Sequence, residues 1–291
     1  MKLAKSISTL LTLFFAIQLP SVFAVEGGER VAQGVHAAAQ KFLVVSDIDD
    51  TLKVSGTAHY YSAVLNVLNR DTFPGMSALY QELAKSAEKV FYLSASPQSM
   101  ASRLQDILVV SGGFPAGQFL LSNWWKWEST FYYKLQQLNN LAEANDTAFL
   151  LVGDDVHWDP EIYEQFAKEV PTNRIIGTYI HQIGARPLPS SVSPFTTAYE
   201  IVLNEIEEGR LSVEQGLRVG KVILDSDRMD LVFPSYKVCP TAFAHQYGTG
   251  VRGEPALVSM GSQIETKIKN YCTKLARQRA LTLEYRYSID R

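Results

Sequence analysis

The sequence predicts an α/β protein with a doubly wound parallel sheet, and three observations support this prediction. Short apolar runs rich in β-branched residues alternate with segments whose apolar residues recur at helical spacing. The short runs are apolar on both faces, as expected for strands buried between two layers of helices. Polar residues follow the ends of these runs, and ligands of open α/β sheets bind beyond the carboxyl ends of the strands.

The strands and helices of the sheet domain can be assigned in order. Strands are predicted at residues 42–46, 89–94, 118–122, 148–153 and 174–180. Helices are predicted at residues 75–88, 96–110, 132–145 and 159–170. Three prolines within residues 184–194 then interrupt the alternation. We therefore predict one domain over residues 25–188 and a mainly helical C-terminal region over residues 189–291, where Ser212 and Gln215 form a capping box.

The first 24 residues have the plan of a secretory signal peptide. Lys2 and Lys5 precede an apolar stretch that ends near Pro20, and the small residue Ala24 offers a cleavage site. A retained membrane anchor is the alternative, although the uninterrupted apolar run is short for a bilayer span. We expect an exported protein, periplasmic or secreted. In such a compartment Cys239 and Cys272 could pair, and two free buried thiols are the alternative.

Composition excludes one broad class of partner. The 291 residues are 46% hydrophobic and 20% charged, which is ordinary for a globular protein with a sizeable core. Removing residues 1–24 removes two lysines and no acids, so the formal net charge changes from −3 to −5. Nucleic-acid binding requires a basic footprint, so we do not expect a nucleic-acid partner. The composition leaves the oligomeric state open.

The candidate site residues lie at strand ends. Asp47 follows the first predicted strand, Ser94 ends the second and Asp154 ends the fourth, while Lys134 starts the helix before that fourth strand. These four positions converge on one edge of a parallel sheet. Carboxylates crowded together raise the cost of ionising one another, and a cation relieves that cost.

The same residues resemble a known family. "DIDDT" at 47–51 resembles the first motif of haloacid dehalogenase-type phosphatases, while Ser94, Lys134 and "GDDVHWD" at 153–159 resemble the other three. A finer resemblance is to the catalytic domain of the actin-patch-associated phosphatidate phosphatases of fungi, through "SDIDDTLK", "YLSASP", "GGFPAG" and "DPEIY". It covers about 145 residues and leaves the last hundred or so unmatched. His181, where the family more usually has arginine, and the stretch around His157 depart from the pattern.

The resemblance and the chemistry together assign roles around the first motif. Asp47 is the expected nucleophile, forming an aspartyl-phosphate intermediate, and also binds Mg²⁺. Asp49 is the expected general acid and base, and its main-chain carbonyl binds the metal. Thr51 supports the nucleophile loop through its hydroxyl, while Asp50 is expected to cap the turn.

Other elements supply the remaining roles. Asp154 is the expected second carboxylate on the metal, with Asp155 or Asp159 supporting the metal through water or hydrogen bonds. Ser94 and Lys134 are expected to bind the phosphoryl oxygens, with Ser96 the alternative to Ser94.

The sequence therefore predicts an exported Mg²⁺-dependent phosphatase of the haloacid dehalogenase type without a large cap domain, acting on a phosphatidate-like lipid phosphate. A broad-specificity periplasmic phosphomonoesterase acting on nucleotides or sugar phosphates is one alternative. A catalytically silent binding or effector module is another. The aromatic stretch at 123–133 suggests peripheral contact with a membrane, unless its rings pack on the C-terminal helices.

Overall fold

Six parallel strands in the order β3-β2-β1-β4-β5-β6 form the central sheet of the computed structural model. The structure describes residues 41–56, 69–123, 129–184, 186–240, 243 and 248–289, so the predicted signal peptide lies outside it. The strands are β1 (Phe42–Ser46), β2 (Lys89–Pro97), β3 (Gln118–Ser122), β4 (Ala148–Asp154), β5 (Ile175–His181) and β6 (Ser193–Phe195). All residues of β1 and β4 are buried, which confirms the predicted central strands.

Helices cover both faces of the sheet. In chain order they are α1 (Met76–Leu83), α2 (Ala101–Gln105), α3 (Thr130–Ala144), α4 (Asp159–Glu169), α5 (Ala198–Glu207), α6 (Val213–Asp225), α7 (Met229–Val232), α8 (Thr249–Arg252) and α9 (Pro255–Ile289). One face packs on α3 and α4, and the other packs on α1 together with α5, α6 and α9. This three-layer arrangement confirms the predicted doubly wound α/β class.

The region around α2 is less regular than the sequence suggests. The predicted helix at 96–110 is divided into a 3₁₀ turn (Gln98–Met100), the short α2 and a π-helical turn (Asp106–Ser111). The π-helical turn is capped by Phe114, whose amide donates to the carbonyl of Leu108. Apolar spacing alone cannot separate these three helix types, because their side-chain faces overlap over so few residues.

The C-terminal residues extend the same sheet. The predicted boundary after residue 188 falls just before β6, which pairs in parallel with β5. Pro194 lies within β6 at the edge of the sheet, where its missing N–H removes no ladder bond to a further strand. The predicted capping box is confirmed, because Ser212 and Gln215 cap α6 reciprocally.

A covalent link ties the C-terminal region together. Cys239 and Cys272 form a disulfide that joins the segment after α7 to the long helix α9. The sequence left this pairing open, and the structure brings the two residues together. In the described part of the chain, no helix has both the length and the apolar character needed to cross a bilayer.

Candidate active site

The candidate site lies where the strand order of the sheet reverses. From β1 the sheet grows toward β2 and β3 on one side and toward β4, β5 and β6 on the other. The loops after β1 and β4 therefore leave in opposite directions, which opens a crevice at their carboxyl ends. Asp47 directly follows β1 and Asp154 ends β4, so both predicted carboxylates lie in this crevice. Their elements are neighbours, since Asp47 donates its amide to the carbonyl of Val152.

A cavity of about 420 Å³ opens at this edge of the sheet. It is lined by residues from five segments: Asp47, Asp49, Ser94, Ala95, Ser96, Pro97, Met100, Thr130, Lys134, Asp154 and His157. All the principal residues predicted from the strand ends are among them. Residues 57–68, which follow the acidic motif in the chain, lie outside the described part of the chain.

A buried cluster of acidic groups forms the floor of the cavity. Carboxylate oxygens of Asp47, Asp154 and Asp159 lie within 4.8 Å of one another. The ammonium group of Lys134 lies between two of them, with Nζ 2.6 Å from Oδ1 of Asp47 and 2.6 Å from Oδ1 of Asp159. All four residues are at least 95% buried. Three carboxylates thus share one positive charge in a place that water hardly reaches.

The pKa values respond to this imbalance. Burial raises the pKa of Asp47 to about 7, although the neighbouring Lys134 ammonium lowers it. Burial, together with Asp159 and Asp47, also raises the pKa of Asp154 well above its ordinary value. Burial alone would lower the pKa of Lys134, but Asp159 and Asp47 outweigh it and hold that group charged. The cluster therefore has an excess of oxygen ligands and a shortage of positive charge, which fits a bound divalent cation.

Thr51 connects the acidic turn, residues 47–56, to the opposite strand. Its Oγ1 donates to Oδ2 of Asp154 over 3.1 Å, and the amide of Val156 donates to the other oxygen, Oδ1, over 2.7 Å. The predicted support of the nucleophile loop is thus a direct bond to the second carboxylate. Thr51 fixes the orientation of that carboxylate toward the cavity.

Asp49 has a different environment from Asp47. Its side chain is 31% exposed, and its Oδ1 accepts a hydrogen bond of 2.6 Å from the hydroxyl of Ser55. The ammonium group of Lys53 lies 3.9 Å from the same oxygen. Asp49 therefore lines the cavity with contact to solvent, as a group that exchanges protons needs. Ser55 and Lys53 were not predicted from the sequence, although both belong to the turn that carries the motif.

Ser94 and Ser96 both reach the cavity. Ser94 is buried, and its Oγ accepts from the amide of Ser96 over 3.0 Å. A hydroxyl that accepts from an N–H group keeps its own proton for donation. That proton is available to an oxygen in the cavity, so the geometry suits the role predicted for Ser94.

Asp155 and Asp159, the two predicted supports of the metal, lie in different places. Oδ1 of Asp155 accepts from the amides of Ile183 and Gly184, beyond β5, at 2.8 and 2.9 Å. Asp159 instead joins the cluster, where one oxygen accepts from Lys134 and the other from the amide of Asp154 at 3.3 Å. Asp159 therefore organises the cluster, while Asp155 ties the end of β4 to the loop after β5.

Gly153 explains why Asp159 can approach so closely. A β-carbon added at position 153 would lie 2.6 Å from Oδ2 of Asp159, closer than non-bonded atoms come. The glycine leaves room for the carboxylate that begins α4. Steric exclusion of a β-carbon thus explains why glycine precedes Asp154 at the end of β4.

Residues 42–182 match the catalytic domain of phosphatidate phosphatase APP1. The match begins with β1 and ends one residue after β5, so it contains every residue of the acidic cluster and of the cavity. It indicates a phosphatase and supports the resemblance to phosphatidate phosphatases. No curated protein matches the chain.

The matched segment is just under half of the chain. β6 and helices α5–α9 lie outside it, although they pack on the same sheet. The matched segment therefore includes the residues of the cavity but not the C-terminal helices that cover one face of the sheet.

Proposed function

We propose that the protein is an exported, Mg²⁺-dependent phosphatase of the haloacid dehalogenase type that hydrolyses a phosphatidate-like lipid phosphate. The observation that carries the proposal is the buried group of Asp47, Asp154, Asp159 and Lys134 at the switch point of the sheet. The family match supports phosphatase chemistry at this site.

The proposed metal site uses ligands from two loops. Carboxylates of Asp47 and Asp154, with the main-chain carbonyl of Asp49, would hold Mg²⁺, which prefers oxygen ligands and keeps several waters. When bound, the ion supplies positive charge that offsets the repulsion between a phosphate monoester and an attacking carboxylate. The raised pKa values of Asp47 and Asp154 support this site, because burial and mutual repulsion disfavour the ionised form of both groups when no cation is near them.

The different environments of Asp47 and Asp49 support different roles for them in the reaction. A carboxylate oxygen of Asp47 attacks phosphorus, and the bond from phosphorus to the ester oxygen breaks. Asp49 gives its proton to that leaving oxygen, so an alcohol departs. In the second step Asp49 takes a proton from water, which attacks the phosphorus of the aspartyl-phosphate. Inorganic phosphate is released and the carboxylate of Asp47 is restored.

Two polar groups complete the phosphoryl site. Lys134 presents a charged ammonium beside Asp47, and Ser94 presents a hydroxyl from the end of β2. Both are buried before substrate arrives, so little reorganisation is needed when charge develops on the phosphoryl oxygens.

An aromatic cluster at the cavity rim supports a lipid substrate. Tyr132 is 67% exposed and Trp158 is 54% exposed, and the ring of Phe131 contacts both. Their chain neighbours include His157, which lines the cavity. Exposed Tyr and Trp side chains favour the interface of a membrane. Phe131 and Tyr132 belong to the aromatic stretch 123–133 on which the predicted membrane contact was based, and residues 124–128 of that stretch lie outside the described residues.

The disulfide supports export, because such bonds persist in oxidising compartments. Mass spectrometry of the protein recovered from outside the cytoplasm tests this directly. We expect a mature chain that starts after Ala24. A chain that retains residues 1–24 contradicts the signal peptide.

A substrate screen of the purified mature protein tests the reaction and the substrate class. We expect Mg²⁺-dependent hydrolysis of an aryl phosphate, abolished by EDTA and by Asp47→Asn. Its absence favours a binding module. Phosphatidate in vesicles is then compared with soluble nucleotides and sugar phosphates, and a preference for the soluble compounds favours the broad-specificity enzyme.

Trp158→Ala separates membrane contact from chemistry. We expect slower hydrolysis of vesicle phosphatidate and unchanged hydrolysis of the aryl phosphate. Val222→Ala is the control, since Val222 is 43% exposed on α6, away from the cavity lining. Equal effects of the two substitutions contradict the membrane role of the aromatic cluster.

A further inference from the structure

Asp50 holds the acidic turn in an unusual backbone conformation. Its φ angle is +60°, in the left-handed region that costs energy for residues other than glycine. Its amide donates to the carbonyl of Lys53, and its Oδ1 accepts from the amides of Ser55 and Gly56 at 3.1 and 2.6 Å. A strained conformation of this kind persists only when its surroundings fix it.

Tyr236 reaches Asp50 from far along the chain. Its hydroxyl donates to Oδ1 of Asp50 over 2.8 Å, across 186 positions of sequence. Tyr236 lies after α7, outside the segment that matches the phosphatase domain. The unmatched C-terminal region thus contributes directly to the turn that carries Asp47 and Asp49.

Lys237 reaches the same residue through His181. Nδ1 of His181 lies 2.7 Å from the carbonyl oxygen of Asp50 and must donate to it, because a carbonyl only accepts. Nε2 lies 3.1 Å from the carbonyl of Thr196 and 2.7 Å from Nζ of Lys237, which itself donates to that carbonyl at 2.8 Å. Burial and the nearby Lys237 lower the pKa of His181, which favours a neutral ring with one proton. With that proton on Nδ1, Nε2 accepts from Lys237.

The position of Lys237 is costly. It is 2% exposed, burial lowers its pKa to about 7, and the two partners that its Nζ bonds carry no negative charge. The faces of Phe73 and Phe233, at 5.7 and 5.0 Å from Nζ, offset only part of the cost of burial. An apolar side chain of similar length would fill the same space without that cost.

The segment that bears both residues is held on either side. The amide of Val238 donates to the carbonyl of Ile183 over 3.0 Å, next to the end of β5. Cys239 is bonded to Cys272 on α9. Tyr236 and Lys237 are therefore presented to Asp50 from a fixed support.

We propose that Tyr236 and Lys237 are positioning residues that hold the acidic turn, Tyr236 through the carboxylate of Asp50 and Lys237 through His181 and its carbonyl. The inference rests on the proposed function, since it is the alignment of Asp47 and Asp49 with the substrate that they would secure. Groups that orient a catalytic or metal-binding side chain typically contribute about 10-fold or more to activity.

Tyr236→Phe and Lys237→Met test the proposal, with Tyr199→Phe as the matched control. Tyr199 is buried in the C-terminal region, and its hydroxyl donates to the carbonyl of Leu257 over 2.9 Å, away from the acidic turn. Each Tyr→Phe substitution removes only one hydroxyl. The measurements are kcat and KM with an aryl phosphate, the melting temperature, and hydrogen exchange of the amides of residues 47–56.

We expect kcat to fall about 10-fold in both test variants, with KM changed less than twofold and with faster exchange in residues 47–56. Lys237→Met should melt at the same temperature as the wild type or higher. Tyr199→Phe should lower the melting temperature without changing kcat or the exchange of residues 47–56. A purely structural role instead lowers the melting temperature of both test variants and leaves kcat and local exchange as in the control.

The exchange measurement separates this proposal from the proposed function. If the wild type hydrolyses no phosphate monoester, the proposed function fails, and faster exchange in Tyr236→Phe still supports the positioning role. Unchanged exchange of residues 47–56 in both test variants overturns the positioning role, whatever the activity of the wild type.

Discussion

Asp47→Asn removes one of three buried carboxylates that face the single ammonium of Lys134. We expect this change to abolish hydrolysis and, unusually for a buried charged residue, to stabilise the metal-free protein at pH 8. Lys134 keeps a partner in the variant, because its bond to Asp159 at 2.6 Å remains. The substitution therefore relieves repulsion without leaving a buried ammonium alone.

The magnitude follows from the pKa of Asp47, which burial raises from 3.8 to about 7. Between these values the folded state binds more protons than the unfolded state, so the free energy of unfolding falls as the pH rises from about 4 to about 7. At pH 8 the full cost is on the order of 4 kcal/mol, because each pKa unit is worth about 1.4 kcal/mol. Relief of half of this cost raises the melting temperature by about 4–8 °C.

The assay is thermal unfolding after EDTA treatment, at pH 5 and at pH 8. Asp47→Asn should melt above the wild type at pH 8 and close to it at pH 5, where the carboxyl of Asp47 is already protonated. Adding Mg²⁺ at pH 8 should stabilise the wild type and have little effect on the variant. Asp155→Asn is the control, since its carboxylate bonds the amides of Ile183 and Gly184 and lies outside the group of carboxylates around Lys134.

A lower melting temperature for Asp47→Asn than for the wild type at pH 8 would contradict this expectation. It would mean that the ion pair with Lys134 outweighs the burial of Asp47, so the metal-free cluster needs no further positive charge. Equal stabilisation of the wild type and the variant by Mg²⁺ would place the ion elsewhere.

Three further variants test other contacts. Among the described residues, Lys134 has the only ammonium that bonds the cluster, and Lys134→Met removes it. Activity should be lost, and the free energy of unfolding of the metal-free protein, measured with urea, should fall by about 3–5 kcal/mol. Thr51→Val removes the 3.1 Å bond to Asp154, and kcat on an aryl phosphate should fall about 10-fold with the melting temperature nearly unchanged. Replacing both Cys239 and Cys272 by Ser should lower the free energy of unfolding by about 3 kcal/mol in urea titrations.

Each of these expectations has a contrary result. A Lys134→Met protein as stable as the wild type would show that the carboxylates are protonated rather than paired. Full activity of Thr51→Val would show that the amide of Val156 suffices to orient Asp154. An unchanged urea midpoint for the double serine variant would show that the disulfide constrains the unfolded chain very little.

The sequence predicted the parts of the site that depend on the sheet alone. Asp47, Ser94 and Asp154 follow parallel strands, and the ends of such strands meet at one edge whatever the loops do. Lys134 could be added because its helix leads into β4. These residues line one cavity in the structure, as expected.

The contacts that depend on loops could not be predicted. Asp155 and Asp159 were equal candidates in the sequence, and the difference between them is set by the amides of Ile183 and Gly184, which lie 28 and 29 positions beyond Asp155. No local pattern reports such a contact. β6 was missed for another reason, because three residues that include a proline give no strand pattern.

The acidic turn also shows how a folded protein accommodates three aspartates within four positions. Asp47 is buried against Lys134, Asp49 is partly exposed beside Ser55, and Asp50 accepts from backbone amides and from Tyr236. Each carboxylate therefore has a different set of partners: Asp47 contacts an ammonium directly, Asp49 a hydroxyl with the Lys53 ammonium 3.9 Å away, and Asp50 backbone amides and a phenol.

The partners of Asp50 show how the C-terminal region contributes to the site. Asp50 is the residue on which the conformation of the turn depends, because it alone has a positive φ among the described non-glycine residues. Its carboxylate and its carbonyl are each contacted from residues beyond β5, through Tyr236 and through His181 with Lys237. A catalytic segment that ended after β5 would keep all of its acidic groups and lose Tyr236 and Lys237. The geometry of the acidic turn is therefore a property of the sheet and of the C-terminal region together.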